Sequence, residues 1–373
     1  MKTVAVYVFG AGGAGEHLLG FFRQGVQVLG FIDNSPAKWS TEFCGLPVFP
    51  PDVLKNGNYD YVVVCSAYHP QIVLQLVEEL GILEQKVINT HALFHDMYFR
   101  SRLDAFTLRA REVQCIATGI SYVMLGVIES QMALPTFNFA MNGQDLYYDA
   151  KILRHVLENH PVDKLEYVLV GLTRYSLHYD LSRRKNDMVT RYAHLLGAYH
   201  HGQATKDKVD RANRVISSAY MDSIYQRQRP VYDGYFKELH NGNFSQLKNK
   251  TEAQKKMELI SSREHVKYYP ATVKENTLIL DELLGYLKAR GLRTLLFTVP
   301  GHPYYTAQVP QRIEKEFLET VAPISHKHNV PFWDMLRSPD FTDAHYYDDS
   351  HLNEAGGCLF SKMLNDTLRK LNA

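Results

Sequence analysis

No apolar run in the chain approaches the roughly 20 residues that a membrane-crossing helix needs. Cysteine is scarce, with Cys44, Cys65, Cys115 and Cys358 far apart in 373 residues. That spacing excludes a paired-cysteine zinc site and a disulfide-stapled scaffold. Cys65 and Cys115 lie inside apolar runs and are expected to behave as small buried hydrophobes. Neither sign of charge is in excess: 41 Lys+Arg stand against 40 Asp+Glu. Nothing in that balance argues for nucleic acid or an anionic membrane as partner. The pair His200-His201 has no further residue at ligand spacing, so no metal is expected. Met1-Lys2-Thr3 runs directly into an apolar strand, so no signal peptide is expected and the chain is read as cytoplasmic. On that reading the sequons Asn243-Phe244-Ser245 and Asn249-Lys250-Thr251 are chance matches.

What is present is enough apolar material, 45% of residues, for two or three domains with cores of their own. Tyrosine is plentiful at 24 residues, which suits core and rim packing, or carbohydrate and peptide surfaces. Val4–Phe9 reads as a strand, Gly10-Ala11-Gly12-Gly13-Ala14-Gly15 as a tight turn, and His17 to Phe22 as a helix. Gly10, Gly12 and Gly15 match G-x-G-x-x-G in the strand–turn–helix setting where backbone N–H groups can meet a phosphate. A second strand, Val26–Ile32, ends at Asp33, at the spacing of about 20 residues where a ribose-hydroxyl acceptor falls. Strands over Tyr59–Cys65 and Lys86–Ile88 and a helix over Pro70–Leu80 complete a Rossmann-like domain at 1–92. The motif does not separate NAD from a nucleotide sugar.

Phe31-Ile32-Asp33-Asn34, Gly45-Leu46-Pro47-Val48 and Tyr59-Asp60 give this domain a resemblance to the front domains of bacillosamine-type sugar O- and N-acyltransferases. That resemblance implies a nucleotide-sugar ligand. A helical connector is expected over 93–111, with Arg100, Arg102, Arg109 and Arg111 on a solvated face. From residue 112 a second alternation begins. Strands are expected at Val113–Ala117, Thr136–Ala140, Tyr167–Leu172, Thr294–Val299 and Asn329–Trp333, with helices at Val273–Lys288 and Glu354–Leu371. Such a parallel sheet places its ligand site at the carboxyl ends of its strands.

Asp348-Asp349-Ser350-His351 lies at one of those ends. A carboxylate three residues before a histidine can fix its tautomer and leave the other ring nitrogen as a base. Asp348 is the preferred orienting group over Asp349. The candidate nucleophile is Ser121, at the strand-to-helix turn Gly119-Ile120-Ser121. His302, in Pro300-Gly301-His302-Pro303, is read equally as a substrate contact or a stiff turn, and Arg174 as an anion binder or an ion-pair partner.

The order of a serine after the first strand, a glycine loop after the second, and a late Asp-x-x-His-Leu-Asn is similar to the SGNH/GDSL hydrolases. The likeness is to the branch of O-acetyltransferases and esterases that modifies cell-surface polysaccharides. It covers residues 112–373 apart from a polar helical insertion at about 179–269. The resemblance implies a flavodoxin-like sheet, Ser121 as nucleophile, His351 as base, Asp348 as its orienting group, and oxyanion donors from the N–H groups of Ser121 and Gly143. Two positions depart from the family: Gly-Asp-Ser becomes Gly119-Ile120-Ser121, and Gly-x-Asn-Asp becomes Gly171-Leu172-Thr173-Arg174. The usual oxyanion asparagine is thus missing, with Thr173, Ser176 and Asn142 as alternatives.

The expected function is serine-dependent acyl transfer or ester hydrolysis, with an acyl donor and a carbohydrate acceptor as partners. The serine chemistry requires no cofactor. The alternatives are a non-catalytic binder in glycan assembly and a nicotinamide-dependent enzyme. The insertion is read as a lid or acceptor surface, or as a packing element of a homo-oligomer.

Overall fold

The structure is a computed structural model that describes residues 3–20, 22–66, 68–184, 188–193, 195–207 and 268–372. The expected helical positions Val215, Ile216, Tyr220, Ile224 and Tyr225, the charged run Lys248–Lys256 and both sequons lie outside the described residues. The chain divides into two units, 1–101 with 185–231, and 102–184 with 232–373. The division falls inside a continuous helix, α3 (Thr90–Arg109), rather than in a loop. No helix among the described residues is long and apolar enough to cross a membrane.

The first unit is Rossmann-like. Strands β1 (Val4–Phe9), β2 (Val26–Ile32), β3 (Glu42–Phe43), β4 (Leu46–Phe49), β5 (Tyr61–Val64) and β6 (Val87–Asn89) form one sheet in the order β3-β4-β2-β1-β5-β6. All pairs are parallel except the edge hairpin β3–β4. Alternation along β1 explains the two-sided core. Val6 and Val8 pack with Leu18 and Phe31 in one cluster, while Phe9 joins Ile32, Leu54 and Ile72 in another. Helix α1 (Gly13–Leu19) follows β1, and α2 (His69–Leu74) runs on into a π-helical turn at Gln75–Glu79. A short helix of the insertion, α6 (Thr190–Ala193), also belongs to this unit, where Tyr192 meets Phe99 edge-on at 5.2 Å.

The second unit carries a fully parallel sheet of β7 (Cys115–Thr118), β8 (Thr136–Asn138), β9 (Tyr167–Leu172), β10 (Arg293–Thr298) and β11 (Phe332–Trp333). Its order, β11-β10-β9-β7-β8, is flavodoxin-like, and such sheets bind ligands where the order reverses, here between β7 and β9. Helices α4 (Ser121–Gly126), α5 (Leu146–Asn159), α7 (Pro270–Ala289), α8 (Pro303–Thr306), α9 (Gln311–His328) and α10 (Glu354–Asn372) alternate with the strands. The central strand β9 is buried along its whole length and almost wholly apolar, as burial on both faces demands. Ala117, Leu169, Leu295 and Phe297 share a core with Phe360, Leu364 and Leu368 of α10.

The arginines expected on a solvated face are only partly so. Arg102 and Arg109 both pair with Glu129, at 2.6 and 2.8 Å, and Arg102 lies 4.3 Å from the Phe137 ring centroid. Periodicity could not reveal this, because Glu129 comes from a turn after α4. Cys65 and Cys115 are buried as expected, and burial pushes the Cys115 thiol up to about 12.

Two glycines decide where α4 sits. A Cβ on Gly119, which has φ +146°, would stand 2.7 Å from Val123 Cγ2, and one on Gly171 would stand 2.0 Å from the same atom. Val123 therefore seats α4 on bare backbone at the ends of β7 and β9. Gly171→Ala is expected to destabilise the protein by about 1–3 kcal/mol through overpacking. Urea denaturation checks this, and a wild-type midpoint would show that Val123 gives way freely.

Candidate active site

Ser121 opens α4, directly after the extended residue Ile120, so its N–H belongs to the first turn and has no intrahelical acceptor. The side chain is buried, 8% exposed. The loop that brings His351 to it is closed locally. Tyr346 bridges Leu352, and the Tyr347 N–H donates to the His351 carbonyl at 2.7 Å. Asp348 Oδ1 accepts the N–H groups of Ser350 and His351, both at 2.8 Å. The residues after the histidine lock this loop to the next helix. Leu352 is fully buried, and the Asn353 side chain accepts the Gly356 N–H at 3.0 Å, capping the first turn of α10. A Cβ on Gly357 would stand 2.7 Å from the Leu125 carbonyl, so α10 lies close against α4.

The result joins Ser121 to a pair of neighbours, Asp348 and His351, from the far end of the chain. Ser121 Oγ lies 2.8 Å from His351 Nε2, and His351 Nδ1 lies 2.8 Å from Asp348 Oδ2 and 2.9 Å from Oδ1. Burial alone would raise the Asp348 carboxyl. The His351 charge and hydrogen bond, with the two loop N–H groups, outweigh burial and hold it at about 2. Asp349 does not take this place; its carbonyl accepts the His302 N–H at 3.2 Å.

Gly143 adopts φ +71° in the turn after β8, which the Gln144 N–H closes on Met141 at 3.2 Å. That turn lies beside the Gly119–Ser121 turn, because the Met141 N–H donates to the Gly119 carbonyl at 3.2 Å. Thr173, at the position where the resemblance expects asparagine, is buried. Its N–H donates to Ser176 Oγ at 2.8 Å, and its hydroxyl lies 3.1 Å from the same oxygen. Arg174 is an ion-pair partner: it reaches Asp334 at 2.6 Å and Glu314 at 3.4 Å and is 2% exposed. His302 is the cap of a turn. Its ring accepts the Tyr304 N–H at 3.2 Å and meets Asp343 at 2.8 Å.

Sequence reasoning missed the aromatic wall. The Tyr122 ring stands edge-on to His351 at 4.8 Å and meets Tyr175 and Tyr305 at 6.4 and 6.0 Å. The available signal was tyrosine recurring just beyond strands β7, β9 and β10. Asn138 was missed as well. It donates to the Val123 and Val127 carbonyls at 3.1 and 2.9 Å, holding α4 to β8, and an asparagine within a buried strand was its signal.

In the first unit the three motif glycines divide by role. A Cβ on Gly10 would stand 2.4 Å from the Cys65 carbonyl, and one on Gly15 would stand 2.2 Å from the Gly10 carbonyl. A Cβ on Gly12 would meet nothing within 4 Å, so that position faces open space. Asp33 Oδ2 accepts the Ala11 N–H at 3.1 Å and Lys38 Nζ at 2.8 Å, while Oδ1 accepts the Ser35 N–H at 2.9 Å. Burial would raise this carboxyl, but Lys38 and the two N–H groups hold it below its usual range.

Residues 2–88 match the family described as C2185-like, N-terminal. No curated protein matches the chain. Among solved structures, the chain is similar to UDP-D-quinovosamine 4-dehydrogenase from Vibrio fischeri at 19% identity and a TM-score of 0.18, over 22% of this chain and 75% of that one. It is also similar to an inhibitor-bound aryl esterase of M. smegmatis at 12% identity and a TM-score of 0.31, over 69% of this chain and 100% of that one.

Proposed function

We propose that the protein is a serine-dependent acyl-transfer enzyme that moves an acyl group from an ester donor to a carbohydrate hydroxyl, or to water. The observation that carries this reading is the continuous chain of hydrogen bonds from Ser121 Oγ through His351 to Asp348. Ser121 Oγ attacks the acyl carbonyl carbon while His351 Nε2 takes its proton. The carbonyl oxygen becomes an oxyanion, held by the N–H groups of Ser121 and Gly143. As the intermediate collapses, the ester C–O bond breaks and His351 returns the proton to the leaving oxygen. The acyl-serine is then attacked by a sugar hydroxyl or water, with His351 again taking the proton, and as the acyl–Oγ bond breaks His351 returns that proton to Ser121. Asp348 stays ionised and holds the Nδ1 proton throughout. A fluorophosphonate probe is expected to label the protein at Ser121 alone, as read by peptide mapping. Absence of label on folded protein rules the reading out.

The front unit is proposed to hold a nucleotide or nucleotide sugar against the turn at Gly12. The open space over Gly12 beside the filled space at Gly10 and Gly15 supports this, because it matches the division between ligand approach and packing in such turns. Gly12→Val is expected to leave the melting temperature unchanged and abolish binding of UDP-glucose in calorimetric titration. Wild-type protein that binds neither UDP-glucose nor NAD would remove this half of the proposal.

A further inference from the structure

Beneath the nucleophile turn lies a buried carboxyl that takes no part in the steps above. Asp149, in the first turn of α5, is 3% exposed. Its Oδ1 accepts the Thr118 hydroxyl at 2.5 Å and Gln144 Nε2 at 2.6 Å, and Gln144 Nε2 also reaches Thr118 Oγ1 at 3.0 Å. The backbone N–H of Gly119 is a further donor to the same side chain. Thr118 ends β7 and leads through Gly119 to Ser121, while Gln144 follows Gly143. One carboxyl therefore grips both turns whose N–H groups face the reacting carbonyl in the proposed mechanism.

The direction of these bonds favours the ionised form. Thr118 Oγ1 receives a hydrogen from Gln144, so its own single hydrogen goes to Asp149. Gln144 Nε2 and the Gly119 N–H can only donate. Thr118 and Gln144 converge on Oδ1 as donors, and an ionised oxygen accepts such bonds more strongly than a neutral carboxyl oxygen does. Burying that charge without a cation carries a desolvation cost, which packing alone gives no reason to bear.

We propose that ionised Asp149 is a positioning residue that sets the spacing of the Ser121 and Gly143 turns, and so the geometry of the oxyanion hole. This rests on the reading of Ser121 as nucleophile. Thr118 and Gln144 both meet Oδ1, so a proton on Oδ2 would leave these bonds in place but weaken them, because a neutral carboxyl oxygen accepts less strongly than an ionised one, and the hold on the two turns would loosen. Burial is the largest influence on Asp149 and raises its pKa to about 7, against the pull of Thr118, Gln144 and Gly119. The charged group acting on it is Asp145, at the cap of the same helix, which also raises it; the groups facing it from β7 and the Gly143 turn are neutral.

The test is the rate of fluorophosphonate labelling at Ser121, measured from pH 5 to 9 on the full chain. Asp149→Asn is expected to fold, by circular dichroism and melting, and to label about 10- to 100-fold more slowly. That loss corresponds to a weakened oxyanion donor and should fall on the maximal labelling rate rather than on probe affinity. The acid limb of the wild-type profile should lose its component near neutrality. Thr118→Val, which removes one donor, should move that component to higher pH, and it decides the matter if Asp149→Asn does not fold. Labelling within two-fold of wild type across the range overturns the proposal. So does a slower rate with the acid limb intact, which would leave Asp149 a packing role. Label persisting in Ser121→Ala would instead overturn the nucleophile assignment.

Discussion

Ser121→Ala is expected to lower turnover of an activated acyl ester by about 10⁴- to 10⁶-fold and to abolish fluorophosphonate labelling. The size follows from the site's organisation. In the proposed mechanism, removing Oγ leaves His351 no nucleophile to activate, and Asp348 and His351 lose their function with it. What survives is binding and oxyanion stabilisation, which still exceed water alone. The fold should tolerate the change. Alanine suits the first turn of α4, and that helix is held elsewhere, by Val123 on Gly119 and Gly171 and by Asn138 on the Val123 and Val127 carbonyls. Thermal melting beside p-nitrophenyl acetate hydrolysis separates folding from chemistry. Undiminished hydrolysis by the alanine variant would refute the mechanism.

Asp348→Asn should cost about 10⁴-fold in turnover while leaving the loop in place. Asparagine keeps an oxygen to accept the Ser350 and His351 N–H groups, so the turn survives. At the imidazole the sign reverses. An amide nitrogen facing Nδ1 makes that ring nitrogen an acceptor and moves the proton to Nε2, the atom that must receive a proton from Ser121. The wild-type carboxyl also leaves a mark on stability. Its folded pKa, about 2, lies below the roughly 3.9 of an unperturbed aspartate. The contribution is therefore complete above the unfolded value and fades as pH falls toward the folded one. Urea midpoints of wild type and Asp348→Asn should differ at pH 7 and converge as pH falls through that window. A gap that widens in acid would contradict the assignment. Because Asp348 stays ionised from pH 5 to 9, any acid limb of activity in that range belongs to other groups, Asp149 among them.

The local patterns were legible because they depend on near neighbours. Val4–Phe9, Val26–Ile32 and Tyr167–Leu172 are strands over the spans their apolar runs suggest. The turn at Gly10 was legible because glycine tolerates its φ of +123° without strain. Helix α9 was not anticipated: Pro323 lies inside it and reads against a helix. It forms because Ile313, Phe317, Val321 and Ile324 share one buried face, a tertiary gain that exceeds the local cost. Arg102 and Arg109 were misjudged for a related reason, since their partner Glu129 is a neighbour only after folding.

The amino-acid order alone determined two α/β units, a glycine turn in the first, and an Asp-x-x-His loop at a strand end in the second. Each follows from apolar period, glycine conformation or short-range reach of a side chain. Only the tertiary structure decided that Asp348 rather than Asp349 meets His351, that Arg174 is buried in ion pairs, and that Asp149 lies under both turns of the site. These outcomes depend on which strands lie side by side and how closely α10 can approach α4 over Gly357. Such proximity arises from packing among residues far apart in the chain, which neither periodicity nor spacing records.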